Sequence, residues 1–154
     1  MSAEQRVKDL GLDLPPPPKA VGNYVPGVQV GTLLFLSGCG PQRADGSYVI
    51  GKVGADLTVE QGYDAGRVAG LAMLARIRLV AGSLDRVARV VKALGMVNAA
   101  PDFIQQPKVI NGFSDLMVEV FGEAGRGARA AVGMATLSGG MAVEIEMVIE
   151  LKPD

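Results

Sequence analysis

The most regular stretch of the chain comes late. Over residues 142–151, Val143, Ile145, Met147, Ile149 and Leu151 fall on one side, and Ala142, Glu144, Glu146, Val148 and Glu150 fall on the other. A period of two is that of a strand with one buried face. Residues 129–137 read as the strand before it, with Ser138-Gly139 as a two-residue hairpin turn. In that register Leu137 opposes Gly140, Gly133 opposes Glu144, and Arg129 opposes Val148.

Two stretches change period. Thr58 and Gln61 have the spacing of a capping box. Val59, Tyr63, Gly66, Gly70, Met73, Ile77 and Val80 then recur at helical spacing, and Gly82-Ser83 closes the run. A second helix is predicted over 108–121, where Val109, Phe113, Leu116, Met117, Val120 and Phe121 form an apolar stripe. Pro107 suits its first turn and Gly122 its end. Between them, residues 86–97 read as a strand, although Val87, Val90, Val91, Leu94 and Met96 keep no single period.

Earlier, residues 24–30 and 33–37 read as a hairpin about Gly31-Thr32, and residues 48–50 as a short strand. The order ββ(β)–α–β–α–ββ predicts an α+β two-layer sandwich. Its sheet is mixed and mostly antiparallel, with two helices on one face. Residues 1–14 allow a short helical turn. The four prolines at 15–18 impose a stiff extended arm lying on its own domain. Residues 1–19 are therefore an arm, and residues 20–154 a single domain.

Composition refines this picture. Apolar residues make up 49% of the 154 and aromatics only 5%, with a mean hydropathy of +0.29. No apolar run nears the ~18 residues that span a bilayer, so the surplus apolar surface predicts contacts between subunits rather than with a membrane. The net charge is −1, and the 15 basic residues form no run. A nucleic-acid footprint is therefore missing. The charged start of the chain is unlike a secretory leader and leaves the cytoplasm as the expected location. There is no His, and Cys39 is the one Cys. This excludes Ser-His and Cys-His catalysis and His-metal sites, leaving carboxylates, Arg, Lys, Tyr, hydroxyls, Cys39 or the backbone to do any chemistry. Cys39 itself reads as a packed apolar residue.

The hairpin register puts Arg129, Ala131, Gly133 and Ala135 on the helix-free face with Glu144 and Glu146. Arg129 and Glu144 are then four residues apart along paired strands, or about 13 Å. One small ligand would reach both only if a second subunit supplies part of the site.

Three collinear motifs carry a resemblance. They are Ala128-Arg129-Ala130-Ala131-Val132-Gly133 running on to Val143-Glu144-Ile145, Gly22-Asn23-Tyr24-Val25-Pro26-Gly27 followed by Leu36-Ser37-Gly38, and Val109-Ile110-Asn111-Gly112-Phe113. Together they resemble the RidA/YjgF family over most of the chain beyond residue 19. The resemblance implies a chorismate-mutase-like fold, a homotrimer with clefts between subunits, and hydrolysis of reactive 2-imino or enamine acids of the 2-aminoacrylate type. It implies that Arg129 binds the substrate carboxylate and Glu144 orients water. Tyr24, Asn111 and Ala131 would line the cleft, with no metal or cofactor. The chain departs from the family pattern at Asn23, Cys39, Gly127 and Ala131, where many deaminases carry Pro, a polar residue, Pro and Cys. A non-catalytic trimer that binds 2-oxo acids is the alternative, and an endoribonuclease, a name often given to this family, a weaker one.

Overall fold

A computed structural model of the chain describes residues 1–153. Among them, β1 (Gly27–Val30), β2 (Leu33–Cys39), β3 (Val87–Asn98), β4 (Ala128–Met134) and β5 (Val143–Leu151) form one sheet in the spatial order β1-β2-β5-β3-β4. The β3–β4 pair is parallel and the others are antiparallel. A short helix, α1 (Ala3–Asp9), precedes two long ones, α2 (Val59–Ala81) and α3 (Gln106–Phe121). Both long helices pack on one face of the sheet, giving the expected α+β architecture with a mixed sheet. The core lies between the layers and includes Leu74, Ile77, Ile110, Phe113, Ile145 and Ile149.

The helix boundaries follow their local signals. Thr58 Oγ1 accepts from the Gln61 N–H at 3.1 Å, and Gln61 Oε1 accepts from the Thr58 N–H at 2.9 Å. Gly82, at φ 84°, closes α2. Pro107 sits in the first turn of α3 and Gly122 follows its last residue. The two helices approach unusually closely. A Cβ on Gly112 would lie 1.9 Å from the Tyr63 carbonyl oxygen, and one on Gly66 would lie 2.6 Å from that of Val109. These glycines weaken helix propensity but let the two backbones touch.

The expected hairpin of the last two strands does not form. β4 pairs with β3 and not with β5, and Arg129 stands opposite Ala93 rather than Val148. β3, α3 and β4 make a crossover unit, and a helix between two strands is what allows them to run parallel. Ser138–Gly140 is a 3-10 turn inside the loop after β4 rather than a hairpin turn. β5 instead enters the middle of the sheet, between β2 and β3. All five of its alternating apolar residues are buried there.

This pairing also corrects the expected faces. Arg129 shares a row with Ala93 and Met147, both buried toward the helices. Arg129, Ala131 and Gly133 therefore belong to the helix side at the β4 edge. Glu144 and Glu146, in rows with Met96 and Leu94, belong to the helix-free side. Residues 48–50 make isolated bridges rather than a strand, and the first strand starts at Gly27, not at residue 24.

A register shift between Leu36 and Cys39 marks a bulge in β2. A bulge withdraws backbone groups from the ladder, and they need other partners. Arg76 of α2 supplies them: its Nη1 donates to the carbonyls of Ser37 at 2.6 Å and Gly38 at 2.8 Å. The segment before residue 20 packs along the same body. Val7 joins the core, Pro15 and Pro18 are buried, and the Pro18 carbonyl accepts from Arg76 Nη2 at 3.4 Å.

Candidate functional site

The sequence-predicted residues form two groups. The first lies at the open edge of the sheet. Arg129 Nη1 donates to Asn111 Oδ1 at 2.8 Å and to Ser114 Oγ at 3.1 Å. Both acceptors are on α3, which crosses next to β4. They orient the guanidinium, while Nη2 and Nε remain without a partner among the described residues. A planar fork held on one side and open on the other suits a carboxylate. Ala131 follows on the same strand, half-buried beside Gly95 of β3.

The second group lines a cavity of about 330 Å³ at the far side of the sheet. It contains Tyr24 and Glu144, together with Lys19, Tyr48, Arg76 and Ser138. Ser37 fixes the loop that carries Tyr24. Its backbone N–H donates to the Pro26 carbonyl at 3.0 Å, and its hydroxyl donates to that of Val25 at 2.6 Å. Glu144 has room because Gly38 has no side chain: a Cβ there would lie 2.9 Å from Glu144 Oε1. Tyr24 Oη accepts from the Val21 N–H at 3.2 Å, which leaves its own hydrogen to donate.

The two groups do not meet within one chain. Arg129 is two strands and three rows from Glu144, on the opposite face of the sheet. At standard spacings their Cα atoms are about 14 Å apart. The separation expected from the hairpin therefore persists through a different topology. Glu146 is not in either group: it lies with Phe35, Lys92 and Val148 in a separate cavity of about 370 Å³ on the helix-free face. Cys39 is buried, and burial pushes its thiol up to about 11, against the lowering effect of Arg76 and with a further push from Glu144. Such a thiol is no nucleophile at neutral pH. Arg76 and Lys19 were not singled out from the sequence, and Gly38 entered only as part of a motif. Arg76 owes its place to a bulge that no residue pattern announces.

Comparison with known proteins identifies the fold's relatives. The family model described as "YjgF/chorismate_mutase-like, putative endoribonuclease" matches residues 4–141. The chain belongs to this YjgF family. It is 44% identical over 143 residues to Protein TCP17 of Trypanosoma cruzi, covering 92% of this chain and 89% of that one. Among solved structures, Atu1372 of Agrobacterium tumefaciens is 40% identical with a TM-score of 0.88, covering 97% and 94% of the two chains. A protein of Shewanella oneidensis titled "putative endoribonuclease" is 35% identical with a TM-score of 0.94, covering 98% and 100%. RidA of an Antarctic Psychrobacter is 25% identical with a TM-score of 0.61, covering 86% and 92%.

Proposed function

We propose that the protein hydrolyses reactive 2-imino acids, formed directly or from their enamine tautomers, to 2-oxo acids and ammonia. The observation that carries this reading is the division of the site. One chain offers an oriented, half-open guanidinium at a sheet edge and, elsewhere, a cavity with a carboxylate and a phenol. A homotrimer joins the Arg129 edge of one protomer to the Tyr24–Glu144 cavity of the next. Exposed Val28, Phe35, Val132 and Met134 on the helix-free side supply apolar surface for the contact.

In the completed cleft Arg129 binds the substrate carboxylate, assisted by Asn111 and the backbone at Ala131. Glu144 orients a water molecule against the electrophilic carbon of the protonated imine. The water oxygen bonds to that carbon, the C=N π pair moves to nitrogen, and a water proton passes to Glu144. The proton then moves to the amine, the C–N bond breaks, and ammonia leaves as the C=O forms, the carbinol hydroxyl giving its proton to the Glu144 carboxylate, which releases it to solvent. Arg129 and Glu144 are the catalytic pair, and Tyr24 donates its hydroxyl hydrogen to the polar end of the substrate.

The test couples a serine or threonine dehydratase to the protein and follows decay of the transient enamine. Acceleration over buffer is expected, with Arg129→Ala and Glu144→Gln each losing at least about 100-fold. No acceleration across several amino-acid-derived imines overturns the reading. Retention of 2-oxo acid binding alongside that result establishes the binding-protein alternative instead.

A further inference from the structure

The cavity beneath the proline segment holds more charge than a monocarboxylic imine needs. Four arginines elsewhere on the surface have carboxylate partners: Arg67 with Glu119, Arg78 with Glu4, Arg89 with Glu150, and Arg126 with Glu123. Lys19 and Arg76, which line this cavity together, have no carboxylate within ion-pair distance among the described residues. Arg76 is 2% exposed. A buried guanidinium is costly without a counter-charge. Its Nη1 is satisfied by the β2 bulge, but Nη2 makes a single long contact of 3.4 Å and Nε is buried with no partner at all. Satisfying two bulge carbonyls explains why a donor stands here. It does not explain a full positive charge or the unpartnered Nε.

We infer that the Lys19–Arg76 end of this cavity receives a second acidic group of the ligand, so that the preferred substrates are 2-imino dicarboxylic acids. With the first carboxylate held by Arg129 of a neighbouring protomer and the reacting carbon at Glu144, a distal carboxylate extends toward Lys19 and Arg76. Two cations against the one Glu144 carboxylate leave the cavity a net positive charge for it. The volume of about 330 Å³ suits a small acid. This rests on the deaminase reading for the placement of the reacting carbon, but the acid preference is measurable by binding alone.

The experiment is calorimetric titration of the assembled protein with 2-oxobutyrate and with 2-oxoglutarate. The dicarboxylate is expected to bind at least about tenfold more tightly. Lys19→Glu is expected to abolish that preference while leaving 2-oxobutyrate binding unchanged, whereas Arg76→Met, which also frees the β2 bulge beside Glu144, is expected to abolish the preference and to weaken 2-oxobutyrate binding as well. Equal binding of the two acids by the unmodified protein overturns the inference, as does a preference that survives Lys19→Glu. Lys19 is exposed, so this variant stays informative if Arg76→Met does not fold. A dicarboxylate preference without any acceleration of imine decay overturns the deaminase reading and leaves the acid-binding site standing.

Discussion

Gly38 shows how much a single position decides. Its missing side chain leaves the space that Glu144 Oε1 occupies, and a Cβ would approach to 2.9 Å. Gly38→Ala is expected to fold, because the end of a Glu side chain can swing away. Displacing that carboxylate is expected to slow imine hydrolysis by at least about tenfold at unchanged unfolding midpoint. Steady-state assays beside denaturant melts check both halves. Cys39, one residue on, faces the core with its thiol pushed up to about 11. It is expected to resist iodoacetamide at pH 8 in the folded protein and to react once denatured, as mass spectrometry would read. Arg129, Glu144, Tyr24 and Asn111 were legible because each lies in a motif of adjacent residues. Arg76 was not. It sits in a helix among Ala72, Met73, Ala75 and Ile77, and its partners are carbonyls from 38 to 58 residues away.

At the scale of elements, α1 is tied to the body by two carboxylates. Glu4 accepts from Arg78 at 2.6 Å and from the Leu84 N–H at 2.9 Å, and Asp85 accepts from the Glu4 N–H at 3.0 Å. The Arg78 hydrogen bond holds Glu4 below its usual range, and the Glu4 N–H does the same for Asp85. Folding thus favours the charged forms. Their contribution is complete above the ordinary carboxylate values and disappears as pH falls through the lower folded ones. Below about pH 4 α1 is expected to loosen before the sheet does. Amide exchange over residues 3–9 would record it, and Glu4→Gln should loosen α1 already at neutral pH. The seam between α2 and α3 is expected to be intolerant: Gly112→Ala, with a Cβ 1.9 Å from the Tyr63 oxygen, should cost about 3 kcal/mol or more in denaturant unfolding. Both long helices were readable because caps and apolar stripes are local. The partner of β4 was not, because a strand's sequence gives its faces but not its neighbour. Nothing in residues 128–134 distinguishes a hairpin return from a parallel edge.

For the whole molecule, function is expected to depend on assembly. Phe35 is 46% exposed on the helix-free face. Phe35→Glu should shift sedimentation from trimer to monomer and remove deaminase activity together, although it touches neither half of the site. Trimeric protein that stays active despite the substitution would refute that coupling. The apolar surplus and the separation of Arg129 from Glu144 led to an expectation of assembly, and the resemblance to that of a trimer; the exposed apolar side chains give it a physical basis. The position of β5 reaches further. It is the last of the five strands in chain order, yet it fills the centre of the sheet and carries Glu144. During synthesis, β2 and β3 emerge long before the strand that must lie between them. Until β5 leaves the ribosome, each exposes an unpaired edge that can join with another nascent chain. Completion of the cavity and the end of that aggregation hazard are therefore one event, and release of this segment is the step at which a chaperone would be of most use.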